Sequence, residues 1–225
     1  MKGTNALLFI LWALAAHAES SGQVVFSEIM WMGTAASSAD EWIELYNRSD
    51  QEIDLKGWAI TRMKDDGETI MLRLEEGTIA PGGTFLIANY SHDDERSHLA
   101  ALPQLVDAAL SLPNTKLQLR LYDGDPEAAA QLIDLADDGK GAPLAGDSKM
   151  KHAMVRIDFV QDGSLPAVWA NAREAGGWDE GTEELGTPGF IPDYLLPISQ
   201  STESTRTTSI SSASWGVLKN AIVGK

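Results

Sequence analysis

From Val24 onward the apolar segments are short, and Gly, Pro, Asn or Asp cuts nearly every one before a helical period is established. That punctuation constrains the fold more than any other feature, because short runs bounded by turn residues are the signature of strands. "VVFSEIMWM" is strand-rich, and "EWIELYN" alternates, with Ile43 and Leu45 on one face and Trp42, Glu44 and Tyr46 on the other. "NRSDQ" (Asn47 to Gln51) supplies turn chemistry, since Asn, Ser and Asp bond their own backbone and tolerate tight bends. A strand around "GWAITRM", a turn at "KDDG", a strand at "TIMLRL", a turn at Pro81-Gly82-Gly83 and a strand at "TFLIANY" follow. In "KLQLRLYD" the leucines Leu117, Leu119 and Leu121 point inward, and Gln118, Arg120 and Tyr122 point outward. Further strands are expected in "AAAQLIDLADD", whose alanines also suit the start of a short helix, and in "HAMVRIDF". Residues 91–111 read as a long excursion with one helical turn, and the segment from "WANA" to "GTPGFIP" as an irregular close to the domain. No helices alternate with the strands, which excludes a parallel α/β sheet and leaves an all-β sandwich.

The first residues carry an export signal. Lys2 is a basic start, Ala6 to Ala16 is uninterruptedly apolar, and Ala16 and Ala18 place small residues where a signal peptidase reads them. Residues 1–18 are therefore expected to be a signal peptide, cut between Ala18 and Glu19. No later run is long and apolar enough to span a bilayer as a helix. The expected localisation is exported: extracellular, periplasmic or cell-surface. The sandwich is expected over residues 22–194, followed by a Ser/Thr-rich linker over 195–214 that lacks the large side chains a core requires. Residues 215–225 end the chain with Trp215, Leu218 and Ile222 at helical spacing, an arrangement suited to attachment against a protein or lipid surface.

Charge and chemistry narrow the functions. A formal net charge of -16 repels phosphate backbones, so nucleic acid is a disfavoured partner, and an unknown protein or cell-envelope component fits better. With no cysteine, disulfides, thiolate metal sites and thiol nucleophiles are excluded. No HExxH, GxSxG or phosphate-cradling glycine loop is present. His92 and His98, flanking Asp93, Asp94 and Glu95, form a cluster of ligand-type residues on a polar loop. Asp123, Asp125 and Glu127 in "YDGDPE" are hard oxygen ligands suited to calcium, as are Asp137 and Asp138, although neither run fits an EF-hand. The ordinary reading of both runs is polar turns, so no cofactor and no catalytic residues are expected. Two alternatives stay open: a divalent-metal-dependent hydrolase built from the acidic loops, and a carbohydrate-binding module using Trp169 or Trp178 to stack on sugars.

The stretch from Val24 to Tyr90 resembles the lamin-tail domain family. The matching pieces stand in the family's order: "VVFSEIMW", "DEWIELYNRSDQEIDLKGWAI", "KDDGETIMLRL" and "EEGTIAPGGTFLIA", with weaker echoes in "LQLRLYDGD", "HAMVRID" and "GTPGFIP". The resemblance implies an immunoglobulin-like β-sandwich without a disulfide, acting as a non-catalytic binding, adhesion or structural module of exported proteins. It brings no catalytic residues. Strand position makes Ile43, Leu45, Leu55 and Trp58 core residues, and Asn47 and Asp54 turn residues.

Overall fold

The computed structural model describes residues 22–196. The expected signal peptide with its Ala18–Glu19 junction, the apolar tail and all but the first residues of the linker lie outside that range.

Twelve strands follow in order: β1 (Val24–Met30), β2 (Trp42–Asn47), β3 (Ile53–Asp54), β4 (Ala59–Lys64), β5 (Gly67–Arg73), β6 (Thr78–Ile79), β7 (Thr84–Ala88), β8 (Leu105–Val106), β9 (Leu119–Tyr122), β10 (Leu132–Ala136), β11 (Met154–Arg156) and β12 (Trp169–Asn171). They form a six-stranded sheet in the order β12-β11-β1-β2-β7-β8, a four-stranded sheet in the order β10-β9-β4-β5, and a small β3-β6 ribbon. The protein is an immunoglobulin-like, all-β fold without cysteines. All strand pairs are antiparallel except β7 with β8. The helical turn expected within 91–111 is absent; that stretch forms bends and turns and then β8, which lies against β7. Pro103 and Pro113 bound a segment too short to sustain a helix, and the strand edge offers its backbone better partners.

Register explains the core. Phe26, Leu45 and Phe85 stand side by side across the larger sheet, as do Ile29, Ile43 and Ile87. All join one buried cluster with Ile60, Leu72, Leu119 and Leu121 of the smaller sheet. Ile43, Leu45 and Leu55 are completely buried, and Trp58 is nearly so.

The opposite face of β2 departs from ordinary strand alternation. Trp42, Glu44 and Tyr46 are also buried, so the strand has no solvent face. The chain beyond β11 covers it: Phe159 packs on Tyr46 with ring centroids 5.0 Å apart, and Trp178 packs on Trp42 at 5.8 Å. The segment read from sequence as irregular is thus a third layer over the six-stranded sheet.

Candidate functional site

Covering a sheet face that carries acidic side chains forces each carboxylate to find donors. Glu28 on β1 and Glu44 on β2 are cross-strand partners, and both are wholly buried. Glu28 accepts from the backbone N–H of Thr187 at 3.0 Å and from its hydroxyl at 2.9 Å. Glu44 accepts from the Gly189 N–H at 2.6 Å and the Ser27 hydroxyl at 2.9 Å. The pair therefore clamps Gly186-Thr187-Pro188-Gly189 onto the sheet. Gly186 is needed there: its φ of +157° is at the limit of what side chains adopt, and a Cβ would stand 2.8 Å from the Glu28 carboxylate. Burial pushes Glu28 up to about 7 against the pull of the Thr187 bonds. Burial and then the facing Glu28 carboxylate push Glu44 well above the usual range.

A second group lies where the loop between β1 and β2 meets the closing segment. Asp40 accepts from the Thr34 hydroxyl at 2.7 Å and the His98 N–H at 2.9 Å. Its Oδ1 is buried without a partner among the described residues, and burial raises its protonation range. Glu184 accepts from the Ala35 N–H and from His98 Nδ1, both at 2.8 Å. Burial would raise Glu184, but those bonds outweigh it and hold it below the usual range. Glu41 accepts the Leu112 N–H at 2.9 Å and is pushed by burial to about 7. A Glu–His pair can orient an imidazole for proton transfer, yet no hydroxyl or thiol among the described residues bonds to His98 as a nucleophile would.

A third constellation joins the two sheets. Arg156 on β11 donates to Asp134 on β10 at 2.7 Å, with side chains only 1% and 8% exposed. The same Asp134 oxygen accepts the Phe26 N–H at 2.8 Å, beside the β1 bulge between Phe26 and Glu28. Arg156 further donates to the Asp158 and Gln161 carbonyls and lies over the Trp169 ring.

Of the residues singled out from sequence, His98 belongs to the second group, Trp169 to the third and Trp178 to the covering layer; the others lie elsewhere and apart. Asp123 accepts the Gln131 N–H at 2.7 Å; Asp125 caps the turn Pro126–Ala128 through the Glu127 N–H and pairs with Arg73. The Glu127 side chain is exposed. Asp137 is buried and accepts from Gly139 and Leu144, whereas Asp138 accepts from Lys140. His92 and His98 do not converge: Asp94 is occupied by Arg96, Asp93 by Ser91 and His98 by Glu184. Among the described residues, no three His, Asp or Glu side chains are arranged to hold a metal ion. Trp169 is 5% exposed, and the Trp178 indole N–H is bonded to the Gly186 carbonyl at 2.9 Å. Neither ring is the open platform that sugar stacking requires. Asn47 is buried, its amide donating to the Gln51, Ile79 and Ala80 carbonyls and its oxygen accepting from Ser49. Asp54 accepts the Lys56 N–H.

Glu28, Glu44, Glu184 and Thr187 escape sequence reasoning because their partners are far away in the chain. A faint signal exists: Glu28 is a lone charge in the apolar run "VVFSEIM", which a buried strand tolerates only with a donor opposite.

No curated protein matches the chain. Among solved structures, a DUF4876 family protein from Bacteroides thetaiotaomicron is similar at 12% identity and a TM-score of 0.39, over 76% of this chain and 72% of that one. The family profile described as Lamin Tail Domain matches residues 17–140, more than half of the sequence. That match ends before β11 and β12, which extend the same six-stranded sheet. The chain belongs to the lamin tail domain family.

Proposed function

We propose that the chain is an exported, non-catalytic binding, adhesion or structural module acting at the cell surface or envelope. The observation that carries this reading is the use made of the ionisable groups. Glu28, Glu44, Asp40, Glu41, Glu184 and Asp134 are each engaged by backbone N–H groups of other segments, as clamps within the fold, and Asp137 by those of its own loop. Catalysis requires perturbed groups converging on an open cleft with a nucleophile or metal; here the perturbed groups are buried and divided among separate anchors. Export is supported by Lys2, the apolar run Ala6 to Ala16 and the Ala16-His17-Ala18 site. No helix among the described residues is long and apolar enough to cross a membrane.

The test uses the full chain expressed in its native host. Exported material should begin at Glu19, retain envelope or cell-surface proteins in a cross-linked pull-down, and leave nuclease, phosphatase, protease and glycosidase substrates intact with calcium, magnesium or zinc. Turnover that disappears on replacing Asp123 and Asp125 would overturn the reading in favour of a metal-dependent hydrolase.

A further inference from the structure

Up to Gly186 the covering layer is tied to the domain by uncharged backbone bonds. The Leu185 N–H donates to the Lys151 carbonyl at 3.1 Å, and the Leu185 carbonyl accepts from Ala153 at 2.9 Å. The Gly186 N–H donates to the Glu174 carbonyl at 2.8 Å, and the Gly186 carbonyl accepts from Gly176 at 3.0 Å. Beyond Gly186 such bonds stop. Among the described residues, the backbone bonds of residues 187–195 are internal, from Phe190 to Thr187 and from Leu195 to Pro192. The hydrogen bonds that fasten this strap to the sheet are those Glu28 accepts from Thr187 and Glu44 accepts from Gly189. Apolar burial holds part of the strap: Thr187, Pro188 and Pro192 are buried, whereas Gly189, Phe190, Asp193 and Tyr194 are exposed.

Both fastenings are therefore acids, side by side on β1 and β2, and neither forms an ion pair among the described residues. The neighbouring elements bring them no cation. β11 sets Val155 opposite Glu28, β7 sets Leu86 opposite Glu44 and adds the Thr84 hydroxyl, and β1 adds the Ser27 hydroxyl. From the strap, Tyr194 is the titratable group that acts on Glu28, and Arg173 and Glu174 act on Tyr194 with opposite signs. A protonated pair accepts the strap's N–H groups without net charge. An ionised pair sets two like charges together away from water, and lifting the strap is what lets water reach them.

We propose that residues 187–195 are a pH-released latch, closed on the sheet while the Glu28 and Glu44 carboxyls are protonated and freed from it when they ionise. Release stops at Gly186, because the layer before it keeps its backbone bonds. The closed strap binds more protons than the open one, so closure is complete below the ordinary glutamate range and is lost as pH rises through about 7.

Amide hydrogen exchange of the full chain, well below its melting transition and corrected for the hydroxide dependence of exchange, tests this. From pH about 5 to about 8, protection of residues 187–195 should fall about tenfold per pH unit for each proton released, whereas the ladder amides of β1, β2 and β7 stay protected throughout. Glu28→Gln combined with Glu44→Gln keeps an acceptor at both positions and removes both titrations, so its protection of residues 187–195 should be the same at every pH. A second measurement needs no variant to fold: in the parent, the carboxyl carbon NMR shifts of the two glutamates should move over the interval in which the strap loses its protection. Strap protection that stays level with pH, strand amides that open together with the strap, a double variant that keeps the pH dependence, or carboxyl shifts that move over a different interval would each overturn the proposal.

Discussion

Arg156 is among the largest fully buried side chains of the domain, and its charge is met by several partners. Asp134 supplies the counter-ion, two carbonyls take further N–H groups, and the Trp169 ring lies beneath. Removing one member of such a pair leaves the other charge buried and uncompensated. Arg156→Met should therefore destabilise the domain by about 3–5 kcal/mol at neutral pH, read from urea denaturation. The loss should be smaller in mild acid, because burial already raises Asp134 and a proton can replace the missing guanidinium. An unchanged denaturation midpoint would mean that the pair does not join the sheets. Arg48 lies across the same surface groove, so the double change with Arg48 would not be additive.

At the level of elements, the layer formed by residues 178–190 distinguishes this domain from a plain two-sheet sandwich. Ending the chain after Arg173 would expose Trp42, Glu28 and Glu44 together and should abolish cooperative thermal unfolding, even though every strand would be kept. A truncated chain that still melted sharply would show the layer to be dispensable. The strands themselves follow from local chemistry: alternation in "KLQLRLYD" puts Leu117, Leu119 and Leu121 inside, and Pro81-Gly82-Gly83 turns the chain into β7. Period and turn residues are written within a few positions, so a sequence shows them. The covered face of β2 is not written that way. Glu44 within "EWIELYN" has the polarity of a solvent-facing residue, and its burial is made tolerable by Ser27 on the neighbouring strand and by Gly189, far along the chain. Short segments rich in glycine, such as "ELGTPG", give no periodic signal although they hold the third layer in place. The acidic turn at Asp123 and Asp125 misleads in the opposite sense, because ligand-type residues there bond the turn that contains them and, from Asp125, Arg73.

Across the whole molecule the acidic composition has two parts with opposite consequences. Exposed carboxylates such as Asp94, held at about 2 by Arg96, and Asp65, lowered by Lys116, stay charged in mild acid and lose their partners only in strong acid. Three buried glutamates behave in reverse. Glu28 and Glu41 sit at about 7 and Glu44 is also raised, so between their unfolded and folded ranges the native state binds more protons than the unfolded chain. Their contribution to stability is complete below the ordinary glutamate range and is lost as pH rises through about 7. These acids act as internal clamps of the lamin tail domain, and the melting temperature as a function of pH reads that role. Between pH about 8 and about 5 the melting temperature should rise as pH falls, with the slope reduced in Glu28→Gln and Glu41→Gln. A melting temperature that stays level or falls over that interval would contradict the claim, since the carboxylates would then be ionised and solvated instead of buried against the backbone they hold.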